Sequence, residues 1–283
     1  MFYEPMLPVS CEAAFDDERY VFEPKIDGHR LALSMMSGVV NLYTKFRTNV
    51  TERYPELHHV PVDSRHVVLD GEVAYYNPDT GAFEFEAVME RFRLTKPARI
   101  RDGAKRLPLR YYVFDILSYD GEDVRRWPLA ERQQLLSEVL TENKSYRRVL
   151  SVERTGKDLF EAVRQRGLEG VVGKRKDSLY LGRRSDDWLT VPNYQFAEVS
   201  IAAYRKSRFG WLVHMGGKPV GVVEQSVPPE IRSAFMAAAR GLVLSEDRHY
   251  VYLQPQLRAR IRYRSRYKSG MLRSPQFVDF LSS

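Results

Sequence analysis

RARIRYRSRYK, running from Arg258 to Lys268, decides how the last third of this chain folds. Arg258, Arg260, Arg262, Arg264, Arg266 and Lys268 hold every second position, with Ala259, Ile261, Tyr263, Ser265 and Tyr267 between them. Successive side chains of a strand point to opposite faces, so the alternation predicts a β-strand with one cationic face and one face mostly fit for a core. Like charges ranked on one face repel, so the row needs a reason. Working outward, EVSIAAY, GWLVHM, PVGVVEQ and YVYLQP read as short strands. One helix, PEIRSAFMAAARGL, lines up Ile231, Phe235, Ala238, Ala239 and Leu242 on a single stripe. Five short strands with a helix after the third is the pattern of an OB-type barrel, a small fold much used for nucleic acids. A different small barrel fits the pattern nearly as well.

Charge sharpens the contrast with the rest of the chain. Residues 193–283 hold 14 Lys and Arg against 6 Asp and Glu, a balance of +8, whereas residues 1–192 hold 30 against 31, a balance of −1. Such asymmetry points to a polyanion, nucleic acid first and an anionic membrane surface second. The competing reading is an edge strand kept soluble by charge. A length of 283 residues suits two domains, and the change of texture at PNYQFAEVS puts the boundary near Pro192–Asn193, giving domains 1–192 and 193–283. The single cysteine, Cys11, permits no internal disulfide and fits a reducing cytoplasm. No apolar run is long enough for a membrane span, and MFYEPMLPVS lacks the regions of a signal peptide, so a cytoplasmic location is expected.

Residues 1–192 mix strands and helices without strict alternation, which predicts an α+β fold. RLALSMMSG, NLYTKF, HVVLDGEVAYY and LRYYVFDILSY read as strands. Leu129, Leu135, Leu136, Val139 and Leu140 recur at helical spacing after Pro128, a first-turn residue, and FEAVRQRG reads as a second helix stopped by Gly167.

FEPKIDGHR carries the first chemistry. Lys25 lies between Glu23 and Asp27, Pro24 stiffens the approach, Gly28 lets the backbone turn tightly, and Arg30 follows. A lysine whose pKa is lowered by burial or cationic neighbours can attack phosphorus. The adjacent carboxylates oppose that lowering, so a metal or an arginine has to offset them. LDGEVAYY puts Asp70 and Glu72 on one strand face, YYVFDIL offers Phe114 and Asp115 at the end of another strand, EGVVGKR supplies Glu169 and Lys174, and Arg183 and Arg184 follow. Taken singly, Phe114 is core and a lone glutamate is surface. Together, carboxylates from different strands, a lysine and several arginines suit a triphosphate with a hard divalent cation such as Mg²⁺.

Six motifs now stand in order: KIDGHR, YTKFRTNVTERYP, LDGEV, VFDIL, EGVVGKR and the segment around Trp188. In that order, and from PMLP to SGMLRSPQF, the chain resembles the ATP-dependent DNA ligases of the covalent nucleotidyltransferase superfamily, in their short bacterial and phage-type two-domain form. The resemblance implies an adenylation domain with antiparallel sheets followed by an OB-fold domain. It implies that Lys25 attacks the α-phosphate of ATP, that Glu23 contacts adenine, and that Arg30 contacts ribose or phosphate. Asp27 and Lys45 fall within nucleotide-binding motifs. Glu72 holds ribose or metal, Phe114 stacks on adenine, Glu169 helps bind Mg²⁺ or Mn²⁺, and Lys174 faces phosphate. AMP then passes to the 5′-phosphate of a nick in duplex DNA, where the 3′-hydroxyl displaces it. The protein is expected to act as a monomer, without a membrane partner.

Two departures qualify the match. Lys45 stands where the family generally has arginine, which replaces a bidentate phosphate contact with a point charge. WLTVPNYQ has Thr190 and Pro192 where the family pattern has two lysines, so self-adenylylation is expected to be slowed, or Lys174, Arg183 or Arg184 takes over. The same resemblance gives the basic face of Arg258–Lys268, extended by Arg273, a purpose: following a DNA backbone without reading bases. Rival readings are an RNA ligase, a GTP-using capping guanylyltransferase, and a non-catalytic or pre-adenylated-nick-only DNA end-binding homologue.

Overall fold

In the computed structural model, which describes residues 1–281, the chain forms two compact units, Met1–Asn193 and a second beginning at Tyr194. No helix among the described residues is long and apolar enough to cross a membrane.

The first unit is built on two sheets. One joins Leu7–Ser10, Arg184–Pro192, Gly170–Arg175, Asp17–Pro24 and Val152–Arg154, in that spatial order. The other joins Tyr146–Arg148, Arg110–Tyr119, Val67–Ala74, His29–Met36 and Val39–Thr44. The expectation of antiparallel sheets holds throughout each except at one edge. Leu7–Ser10 runs parallel to Arg184–Pro192, and Tyr146–Arg148 runs parallel to Arg110–Tyr119, so both sheets are mixed. The first of these edges brings the start of the chain to a strand near the end of the unit, and the second follows a crossover that contains the helix Leu129–Val139.

Four helices belong to this unit: α1 (Phe85–Arg93), α2 (Pro97–Arg106), α3 (Leu129–Val139) and α4 (Gly156–Gln165). Pro128 is the residue before α3 rather than inside its first turn, with its φ fixed at −53° and its ψ at 145°, an extended conformation that starts the helix. Gly167 closes α4 with a φ of 64°, as expected of a helix stop. Alternation along the strands divides the apolar residues. Leu31, Leu33, Leu69, Tyr111 and Val113 join a large core, whereas Met6, Val68, Leu117, Tyr180 and Trp188 form a smaller one.

The second unit has seven strands in one connected sheet, a separate two-stranded ribbon and α5 (Pro229–Ala239). Val243–Glu246 and Gln276–Phe280 are strands beyond the five expected. The strand Gln195–Arg205 is long and shared: it pairs with Trp211–Met215, with Tyr250–Leu253 and with Arg258–Tyr263. Its neighbours enclose a core around Trp211, Ile201, Phe235 and Ile261.

The opening stretch is not one strand. Arg258–Tyr263 is a strand with strictly alternating burial, but Arg264 breaks it, and Ser265–Arg266 pairs instead with Leu272–Arg273. The break lets the chain turn at Gly270, whose φ is 83°, and return as the ribbon. Alternation in sequence continued past the point where hydrogen bonding changed partner.

Candidate active site

Lys25 follows the last residue of the strand Asp17–Pro24, and its backbone N–H donates to the Gly170 carbonyl at 2.8 Å. That bond joins the KIDGHR loop to EGVVGKR across 145 residues of chain. Gly170 has a φ of 147°, and a Cβ there would lie 2.3 Å from the Val191 carbonyl oxygen, so glycine is required where the strands crowd. Gly28 is equally constrained, since its Cβ would meet the Val73 carbonyl oxygen at 2.2 Å. The lysine therefore projects from a loop seated tightly on two strands.

The Lys25 ammonium donates to Glu169 Oε2 at 2.7 Å, with the lysine side chain 28% exposed and the glutamate nearly buried. Glu72 lies close enough to feel Lys25, Arg30, Glu169 and Asp27. Burial is the largest influence and, against the pull of Lys25 and Arg30, pushes its carboxyl up to about 8. Arg30 is spoken for: its Nε and Nη2 clasp Asp70 at 3.0 and 2.5 Å. Burial works against the guanidinium, but Asp70, Tyr180 and Glu72 outweigh it and keep it charged. Asp70 also accepts from the Tyr180 hydroxyl at 2.7 Å.

Lys174 and Glu23 form a second, drier pair, 2.6 Å apart with both side chains almost fully buried. The ammonium sits 4.4 Å from the ring centres of both Phe114 and Trp188. The other oxygen of Glu23 accepts from Gln133 Nε2 at 2.8 Å. Burial raises the Glu23 pKa, with Lys174 and Gln133 drawing it back. Beside Glu23 and Phe114 opens a cleft of about 290 Å³, lined also by Val113, Gln133, Leu136 and Ser151. Lys174, one candidate to stand in for the lysine missing at Thr190, is here held by a carboxylate and flanked by two rings. Arg183 and Arg184, the other two candidates for that part, are both exposed, with Arg184 donating to the Pro8 carbonyl.

Asp115 stands apart from these groups. It lies in the middle of the strand Arg110–Tyr119 rather than at its end, and Arg132 holds it bidentately at 2.8 and 2.9 Å with both side chains fully buried. Its role is structural. Thr190 shares the strand face of Trp188, two residues away, and its Oγ1 is buried with no hydrogen-bond partner. Lys45 is exposed, 5.0 Å from the ring centre of Phe46. Tyr180 and Gln133, both hydrogen-bonded to expected site residues, were missed by motif reading because their partners come from distant strands.

The carboxylates near Lys25 supply hard oxygen donors of the kind that Mg²⁺ and Mn²⁺ accept. No group of three or more His, Cys, Asp or Glu among the described residues is arranged to hold a metal. The donor set fits a cation that keeps waters and substrate oxygens, not one caged by protein.

In the second unit the cationic row is partly compensated. Arg258 pairs with Glu198 at 2.6 Å, Arg260 lies over Phe196 and Arg262 over Tyr194, and Arg262 Nε donates to Gln276 at 2.9 Å. Arg266 covers Tyr263, while Arg264 donates its backbone N–H to Arg273 O at 3.0 Å. Lys268 lies in the turn beyond the ribbon strand. Repulsion along the row is relieved by Glu198 and by the ring faces of Tyr194, Phe196 and Tyr263.

A family model described as "ATP dependent DNA ligase domain" matches residues 5–191. The chain is 35% identical over 282 residues to the SPbeta prophage-derived DNA ligase-like protein LigB of Bacillus subtilis (strain 168), covering 99% of each. It is 26% identical over 301 residues to the multifunctional non-homologous end joining protein LigD of Mycolicibacterium smegmatis, covering 97% of this chain but only 38% of that one. Among solved structures it resembles the ligase domain from M. tuberculosis LigD, with a TM-score of 0.60, 24% identity, and coverage of 99% of this chain and 95% of that one. That last likeness speaks to fold alone.

Proposed function

Because this chain belongs to the ATP-dependent DNA ligase family, we propose that it seals nicks in duplex DNA through a covalent lysine–AMP intermediate, with Lys25 as the nucleophile. The observation that carries this reading is the contrast between two lysines. Lys25 is partly exposed on a braced loop among carboxylates, while Lys174 is buried against Glu23. The partial exposure of Lys25 supports it as the lysine that meets a substrate phosphorus.

In the first step the Lys25 ammonium gives up one proton to become a neutral amine. The amine nitrogen bonds to the α-phosphorus of ATP as the bond to the β-phosphate oxygen breaks, releasing pyrophosphate and a second proton to solvent. Glu169 Oε2, already hydrogen-bonded to the ammonium, orients it and stands ready to receive the first of these protons. In the second step an oxygen of the 5′-phosphate attacks the adenylate phosphorus and the P–N bond breaks, restoring the lysine. In the third the 3′-hydroxyl attacks the 5′-phosphorus and AMP departs. Splitting the condensation in this way replaces one hard step with easier ones.

Glu72 and Glu169 are the residues that would hold Mg²⁺ or Mn²⁺, which neutralises phosphate charge when bound. Phe114 offers a ring face for adenine, and Glu23 an acceptor at the wall of the adjoining cleft. Arg30, fixed by Asp70 and Tyr180, supplies a rigid cation for ribose or phosphate. Asp27 shapes the field at Glu72, and Lys45 adds exposed positive charge.

The second unit is read as an OB-type barrel, supported by one long strand shared among three partners around a small apolar core with a single helix. Its Arg258, Arg260, Arg262, Arg264, Arg266, Lys268 and Arg273 would follow the DNA backbone without reading sequence. The test of the whole reading is AMP uptake from labelled ATP, followed by closure of a nicked duplex. Adduct formation that Lys25→Ala abolishes supports it, whereas uptake of labelled GMP in preference would favour the capping-type reading.

A further inference from the structure

The near-neutral balance of the first unit conceals a concentrated block of positive charge. Residues 91–110 hold 8 Lys and Arg against 1 acidic residue, Asp102. Their net charge of +7 equals that of the whole protein. Most of this block is α2, Pro97–Arg106, and the residues leading into it.

Helix physics does not ask for this charge. Lys96 stands at the N-cap and Arg99 in the first turn, where the partial positive charge of the helix favours carboxylates, and no acidic residue is present there. Arg101 and Lys105 are like charges four residues apart on adjoining turns. Arg93, Lys96, Arg99, Arg101 and Lys105 are all exposed and form no ion pair among the described residues, whereas Arg106 pairs with Glu90 and the buried Arg91 with Glu56. Packing explains just the buried side of the helix, where Ile100 is enclosed and a Cβ at Gly103 would lie 2.6 Å from Leu94. The exposed side carries no large apolar residue that would anchor it in a lipid surface.

The block adjoins the candidate active site. Phe92, at the end of α1, packs edge-on against His29, four residues beyond Lys25, with ring centres 4.6 Å apart. Arg53 lies over the other aromatic partner, 4.5 Å from the Phe92 ring centre, and donates to the Phe92 carbonyl. Positive charge thus extends from the edge of the nucleophile's loop outward along α2. We propose that the exposed face of α2 binds the sugar–phosphate backbone of duplex DNA, a contact separate from the basic strand of the second unit. This rests on the reading that the chain acts on DNA. At about 1.5 Å per residue α2 is roughly 15 Å long, enough to run beside about four phosphates of one strand.

The test uses the full chain, a nicked duplex and a salt titration. The variant Arg99→Gln/Arg101→Gln/Lys105→Gln removes three exposed charges with a good helix former and relieves the like-charge pair, so its thermal stability should not fall. Each lost phosphate contact lowers the log–log salt slope by about 0.9, or about 2.7 for three. Between about 50 and 200 mM salt the variant should therefore lose roughly 40-fold less affinity than the wild type. Arg99→Lys/Arg101→Lys should keep the wild-type slope, and AMP uptake without DNA should be unchanged in both variants. A triple variant that keeps the wild-type slope, in protein that takes up AMP and closes nicks, overturns the role of α2 and leaves the ligase reading standing. Wild-type protein that neither takes up AMP nor binds the duplex overturns the ligase reading first. Loss of binding to vesicles of anionic lipid, with DNA binding intact, would assign α2 to a membrane surface and also overturn the proposal.

Discussion

Replacing Lys174 with methionine should expose what holds Glu23 in place. The pair is almost fully buried, with 2.6 Å between charged atoms, and methionine fills similar volume between Phe114 and Trp188. Without the ammonium, the Glu23 carboxylate faces burial with only Gln133 as a partner. A buried charge left alone costs about 3–5 kcal/mol, but a carboxylate can escape by taking a proton. Starting from an ordinary value near 4.5, protonation at pH 7 costs roughly 3.4 kcal/mol at about 1.36 kcal/mol per unit, which caps the loss. The sign follows from proton counting. The folded variant holds a proton that the unfolded chain has released, so its stability falls as pH rises above about 4.5. The penalty of Lys174→Met relative to wild type should thus grow from near 1.4 kcal/mol at pH 5.5 toward about 3.4 kcal/mol at pH 7. Urea unfolding followed by tryptophan fluorescence at several pH values measures it. Adding Glu23→Gln should restore most of the loss. A penalty independent of pH, or a double variant no more stable than the single one, would refute the argument.

Four other outcomes are expected. Thr190→Val should raise stability by about 1 kcal/mol in urea unfolding, because it removes a buried hydroxyl with no partner. Thr190→Lys should speed AMP uptake about tenfold by adding a cation near the nucleotide; an unchanged rate would remove the idea of a charge deficit. His29 is held down to about 4 by burial, with Lys45 and Arg53 adding to the effect. The unfolded chain therefore binds its proton first as pH falls below about 6.5, and near pH 4.5 wild type should have lost about 2.5 kcal/mol more than His29→Gln. Neutralising Arg260, Arg262 and Arg264 should weaken nicked-duplex binding and flatten its salt dependence, and unchanged values for both would dismiss the strand as a DNA contact.

Much of the site was legible because its motifs are local. KIDGHR, LDGEV and EGVVGKR each carry their candidate side chains on a few consecutive residues, and Asp70 and Glu72, read as sharing one strand face, both lie near Arg30. What stayed hidden depends on pairing across the chain. The pairing of Lys174 with Glu23 on the adjoining strand is one example, since no local pattern announces it. Asp115 was read as available, yet Arg132 from α3 encloses it. Neither Tyr180 nor Gln133 sits in a motif, and only the fold brings them to Asp70 and Glu23. The charge block at α2 was lost by averaging over 192 residues, and the short helices α1 and α2 have too few turns to show a clear period. Alternation likewise ran on past Arg264, because the side-chain pattern does not report which strand supplies the hydrogen bonds.

Intact-mass spectrometry of the full chain, incubated with ATP and Mg²⁺, bears on the nucleophile itself. The wild type should gain the mass of one adenylate, the gain should map to Lys25, and Lys25→Ala should show none. A wild type that remains unmodified, or an adduct carried equally by Lys25→Ala, would contradict the assignment.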